Sequence, residues 1–364
     1  MRSATIPPSL SPWQGRWQCI SQHGPESLNW LEPVCLVCCF AWPSELQSAS
    51  NLYWGSLFIS SAGFAGLASL LVLAVGALRK RHFVPLATAA FFPFSAVLVG
   101  FFVPTTSRVS LMIYDANLLA VDGAFGFQPS FFLGQMISGE SLLRDLTETV
   151  YYALPLGVAL CCTAGRTDRA RLRLLLMFAS MTVVGYLLYP VCPGIGPNYA
   201  FHNRFPFSPP VGDEIRLAAI SDPVAPRNAM PSLHVAAALL VFWNRAAWRQ
   251  AARLACAAFL LWTMFSTMAL GEHYLIDLVP SVPLTLIFYA AFSGPSPATA
   301  GSWRLYAMLS GAALTAGWLL MLRFWVQPLL AWPGSVAILS LATVGVSVWM
   351  QRQVSALTEE QVAS

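Results

Sequence analysis

Two histidines and one aspartate hold most of the chemistry legible in this chain. His273 and Asp277 stand four residues apart in "GEHYLIDLVP" (271–280), a spacing that on a helix puts both on one face, one turn apart. A carboxylate so placed can hydrogen-bond one imidazole nitrogen, fix the tautomer and leave the other nitrogen basic and aimed. That suits a nucleophile or a general base; the same pair can also serve only to bridge helices. His234 opens a second apolar stretch in "AMPSLHVAAALL" (229–240). Pro231 and Ser232, just before it, are helix-start residues. A helix start offers free N–H groups and a positive dipole end, hence a place for an anion. Two histidines beside an acid and such a helix start point to phosphoryl transfer.

The surroundings make these residues conspicuous. Hydrophobic residues are 57% of the 364, charged ones 10%, and the mean hydropathy is +0.62, against about 25% charged in a soluble domain. An ionisable group at the centre of a membrane helix costs about 2.5–3.5 kcal/mol, less near its end. The expected fold is all-α, a polytopic membrane bundle. Stretches of about 20 apolar residues occur at 57–78, 83–103, 150–164, 172–191, 232–248, 254–270, 274–292, 304–324 and 332–350, about nine spans. "RKRH" (79–82), "RTDRARLR" (166–173) and "NRAAWRQAAR" (244–253) then fall on one side, and most acidic residues on the other. Because Lys and Arg collect in cytoplasmic loops, the histidines are expected at the extracytoplasmic face.

This divides the chain into an extramembrane or interfacial segment (1–56), two spans (57–103), a catalytic region (104–293), two further spans (294–350) and a cytoplasmic tail (351–364). The run 34–42 is too short to span, and the amino terminus lacks the pattern of a secretory signal. Within the catalytic region, Val109, Met112, Ile113, Ala116 and Ala120 recur at helical spacing, with Asp115 and Asn117 off that stripe. The pattern predicts amphipathic helices in the headgroup layer. Residues 192–230 are rich in Gly and Pro and predict an ordered loop roofing the site. The eight cysteines show no ligand spacing with histidine. The net charge of +4 is spread among apolar segments without a basic stripe, so nucleic acid is not an expected partner. Nothing in the sequence specifies an oligomeric state.

"PSLH" (231–234) followed by "HYLID" (273–277) resembles the second and third signatures of the type 2 phosphatidic acid phosphatase (PAP2) superfamily. In that family the third signature begins Ser-Arg, and five residues separate the arginine from the histidine. Here Ser266 and Thr267 hold those places, so the arginine is absent; Leu233 replaces a glycine, and no first signature is present. These departures resemble the branch that includes inositol phosphorylceramide synthases.

The resemblance implies a six-helix catalytic core, a lipid phosphate as substrate among membrane lipids, and neither metal nor cofactor. It implies that His273 attacks phosphorus, Asp277 supports it, and His234 handles the proton of the leaving and incoming oxygens. Phosphoryl transfer needs charge neutralisation, for which Arg227, seven residues before His234, is the first candidate and Arg204 and Arg216 the alternates. Ser232 either bonds a phosphate oxygen or caps its helix, and Glu272 is a surface or orienting residue. Two other classes share these residue types: a metalloenzyme using His234, Glu272, His273 and Asp277, and a transporter with a proton relay.

Overall fold

A computed structural model describes residues 61–80, 83–163, 167–222, 225–244, 250–293, 298–332 and 334–363. The expectations for 1–56, including the short run 34–42, lie outside the described residues. The chain begins with α1 (Ser61–Lys80) and α2 (Val84–Val109), then β1 (Met112–Ile113). Three short helices follow: α3 (Asp115–Gly123), α4 (Pro129–Ser138) and α5 (Ser141–Tyr152), the last continuing almost directly into α6 (Leu154–Thr163). Next come α7 (Asp168–Leu188), the one-turn α8 (Pro197–Ala200) and β2 (Ile220–Ser221), which pairs antiparallel with β1. The remaining helices are α9 (Leu233–Trp243), α10 (Gln250–Ala269), α11 (Leu275–Leu278), α12 (Ser281–Phe292), α13 (Ala298–Phe324), α14 (Val326–Leu330) and α15 (Ser335–Ala363).

The protein is an all-α membrane bundle. Among the described residues, five helical stretches are long and apolar enough to cross a bilayer: 168–188, 250–269, 275–292, 301–324 and 335–357. Each coincides with an expected span. The stretch Leu275–Phe292 is 67% buried in protein, against 22% for Ser335–Leu357. That contrast places α12 at the centre, packed on α7, α9, α13 and α15. Its sequence "SVPLTLIFYAAF" is apolar all round, as a helix surrounded by others must be. The outer helices instead expose Leu187, Leu261, Leu305, Leu309 and Leu341, a surface suited to lipid.

Three elements differ from the expectations. The helical segment expected from 150 begins earlier, because α5 and α6 run nearly end to end from Ser141 and α5 packs on α10. The helix expected to end at 350 continues to Ala363, held where the Tyr289 and Ser355 hydroxyls meet at 2.6 Å and where Val354 is buried. Most consequentially, α3 is no surface helix. Asp115, Asn117 and Asp122 are all buried, and Asn117 Nδ2 donates to the Leu322 carbonyl of α13. The apolar stripe misled because the polar residues off it face backbone donors and acceptors, which satisfy them inside the protein.

Candidate active site

The backbone of His273 is fixed from two sides. Its N–H, like that of Glu272, donates to the Thr267 carbonyl at the end of α10, and its own carbonyl accepts the Ser130 hydroxyl of α4 at 2.7 Å. Thr267, at the position of the missing arginine, is buried and gives its hydroxyl to the Met264 carbonyl. The turn between α10 and His273 requires glycine. Gly271 has φ +72°, and Gly196, with φ +87°, lies so close that a Cβ there would come 2.4 Å from the Glu272 carbonyl oxygen. Only glycine tolerates both the conformation and the approach. The glycines of "CPGIGP" thus bring chain against chain beside the histidine.

The His273 ring is oriented by Ala229. Nδ1 lies 2.7 Å from the Ala229 carbonyl oxygen, and the side chain is buried. A carbonyl only accepts, so Nδ1 carries the proton and Nε2 keeps its lone pair. Burial lowers the His273 pKa to about 4, against the raising effect of the bond to Ala229. The imidazole is therefore neutral at physiological pH, the state a nucleophile requires.

Asp277 corrects a sequence expectation. Its Oδ2 stands 3.6 Å from His273 Nδ1, beyond a hydrogen bond, and accepts the Tyr274 N–H at 2.8 Å instead. Its Oδ1 has no hydrogen-bond partner. Within the one-turn α11 the carboxyl folds back on its own turn. The Asp277 carbonyl also accepts the Ser232 N–H, which joins the two histidine segments directly.

His234, the second residue of α9, stands near His273, with ring centroids 6.4 Å apart and planes at 60°. Ser232 caps α9, its Oγ accepting from the Val235 N–H at 3.4 Å. Leu233 fits because Gly185 has no side chain; a Cβ there would come 2.2 Å from Leu233 Cδ2. Glu272 is half-buried, and burial raises its pKa to about 7. Its charge bears on Tyr151, Tyr152 and Tyr199, and the Tyr151 ring stacks on that of His234.

The roof-loop arginines are directed elsewhere. Arg227 is fully buried, with Nε and both terminal nitrogens donating to the carbonyls of Ser110, Leu111, Asp222 and Ala225, and with Asp222 Oδ1 at 3.6 Å. It ties the loop to the segment preceding β1, so the expected phosphate contact gives way to a strut. Arg204 pairs with Glu214 and the Ser208 carbonyl, and Arg216 is exposed.

Two acids not expected at the site hold it from α3. Asp115 accepts the N–H groups of Ile195 and Gly196 and the Tyr274 hydroxyl. Asp122 accepts those of Leu275 and Ile276, at the start of the helix that follows His273. Burial raises their pKa values to about 7 and about 8, although these donors pull the other way. Among the described residues, no group of three or more His, Cys, Asp and Glu side chains is placed to hold a metal ion.

Comparison with known families meets this geometry at the same segments. Residues 116–291 match the model of the PAP2 superfamily. The match runs from α3 through α12 and includes both histidines. No curated protein and no solved structure matches the chain. The five apolar helices and the match to the PAP2 superfamily fit an integral membrane protein.

Proposed function

We propose that the chain is a lipid-phosphate phosphatase or phosphotransferase that works through a phosphohistidine at His273. The observation carrying this reading is a neutral, Nδ1-protonated His273 with the His234 ring beside it, centroids 6.4 Å apart. Nε2 of His273 attacks phosphorus, the P–O bond to the lipid alcohol breaks, and His234 gives that oxygen its proton. His234 then takes the proton of an incoming hydroxyl, whose oxygen attacks phosphorus and breaks the P–N bond. His273 is restored.

Negative charge on the phosphoryl oxygens is met by the first N–H groups of α9 and by the Ser232 hydroxyl, which accepts from Val235 and keeps its own proton to donate. Asp277, 3.6 Å from Nδ1, favours the positive charge that grows on the ring as the P–N bond forms. Water as acceptor makes the enzyme a phosphatase. An alcohol makes it a transferase, and the "PSLH" and "HYL" segments resemble those of inositol phosphorylceramide synthases, which favours a polyol such as inositol carrying the phosphate. The basic segments at 79–82, 166–173 and 244–253 support an extracytoplasmic site.

A panel of phosphatidic acid, ceramide phosphate, polyprenyl phosphate and phosphatidylinositol, assayed with and without inositol, tests the reading. Phosphate release or a new phospholipid from at least one substrate is expected; no turnover of any would contradict it. For sidedness, single cysteines at Asn203 and at Arg169 are compared in intact cells. An impermeant thiol reagent is expected to label the first and spare the second.

A further inference from the structure

The ring of Tyr151 lies over the imidazole of His234, with centroids 4.2 Å apart and planes 16° from parallel. We propose that Tyr151 is a positioning residue, setting the plane of the His234 ring and favouring its protonated form. The proposal rests on the phosphoryl-transfer reading above and adds a residue to it.

The two histidines are held in different ways. The His273 ring is fixed by a hydrogen bond to Ala229. Among the described residues, neither ring nitrogen of His234 takes part in a hydrogen bond. Its χ2 torsion is broad and roughly two-fold in the absence of other constraints. An aromatic face in near-parallel contact removes most of that freedom. The ring is then held beside that of His273, at 60° to it with centroids 6.4 Å apart. Both nitrogens remain unengaged, as a group that must give and then take a proton requires.

The stack also acts on charge. His234 becomes an imidazolium once per turnover, in a place where burial penalises a cation. A tyrosine face carries the negative end of the ring quadrupole and attracts a cation lying against it. The π face performs both tasks, so phenylalanine serves as well as tyrosine. Tyr151 is the last residue but one of α5, and α5 and α6 pack on the helices around the site.

The test compares wild type, Tyr151→Phe and Tyr151→Leu in detergent on an alkyl phosphate lipid and on an aryl phosphate whose leaving group departs without a proton. Tyr151→Phe is expected within about threefold of wild type on both, the attraction residing in the ring face. Tyr151→Leu is expected to lose about tenfold or more on the alkyl phosphate and little on the aryl one. The basic limb of its alkyl-phosphate pH profile should fall by about 0.5–1 unit as the imidazolium loses its partner. Tyr151→Met, closer in length, carries the same expectation if the leucine variant does not fold. Equal loss on both substrates with an unmoved limb would overturn the proposal, as would full alkyl-phosphate activity in Tyr151→Leu. Wild-type protein inactive on both substrates would overturn the phosphoryl-transfer reading and this proposal together. Wild-type turnover without the leaving-group split overturns only the role of Tyr151.

Discussion

Nδ1 of His273 meets the carbonyl oxygen of Ala229 at 2.7 Å, across 44 residues of chain. Ala229 lies three residues before Ser232, whose own N–H is bonded to the Asp277 carbonyl. The segment that begins the His234 helix therefore orients the His273 ring, and the segment carrying His273 anchors that helix. Each histidine is placed by the other's surroundings, so a displacement of either segment alters both.

Arg227 separates a strut from a phosphate clamp. Removing its side chain takes away the donor that the carbonyls of Ser110, Asp222 and Ala225 share, at a cost of about 1–3 kcal/mol. Arg227→Ala should lower the melting temperature in detergent markedly, with lost activity tracking lost fold. An unchanged melting temperature with kcat/KM down about 100-fold would restore the clamp.

Glu272 should make the enzyme pH-sensitive from the basic side. Its pKa is raised to about 7 by burial, so it is neutral below that value and negative above it, next to His273. A charged Glu272 repels the phosphate. With an aryl phosphate, Glu272→Gln should match wild type near pH 6 and exceed it several-fold near pH 8. His273, with its pKa lowered to about 4, stays neutral well below the ordinary histidine range, so aryl phosphate turnover should persist at pH 5.5. Parallel profiles of wild type and Glu272→Gln above pH 7 would exclude the repulsion.

Gly196 tests the contact between the roof loop and the nucleophile segment. An alanine there meets both a left-handed φ and the Glu272 carbonyl at 2.4 Å. Backbone must move, and the nearest backbone belongs to the residue before His273. Gly196→Ala should cut turnover tenfold or more, because misplacement by about 1 Å can cost about 100-fold, whereas Gly126→Ala, at φ +91° with open space around it, should leave turnover near wild type. Similar losses in both would assign the effect to backbone strain alone.

The residues legible in the sequence were those whose spacing is local. His273, Asp277, Ser232 and His234 announce themselves by short motifs at the ends of apolar stretches, and all four meet at one place. What the motifs hide is long-range. The acceptor for His273 is a backbone carbonyl, which no residue type marks. Tyr151 lies at the edge of an apolar run, where tyrosine also suits the membrane interface. Asp115 and Asp122 read as loop acids because their partners are N–H groups 80 and 153 residues away. Arg227 is near His234 in sequence, but its side chain follows the loop back toward β1.

The central claim is that phosphorus passes through His273. Purified protein is incubated briefly with a labelled lipid phosphate, quenched and denatured, and the label is mapped on the chain. An acid-labile, base-stable adduct on His273 is predicted, absent from His273→Ala and retained by His234→Ala when the substrate is an aryl phosphate. Label persisting on His273→Ala, or turnover of wild type with no label on the chain, would contradict it.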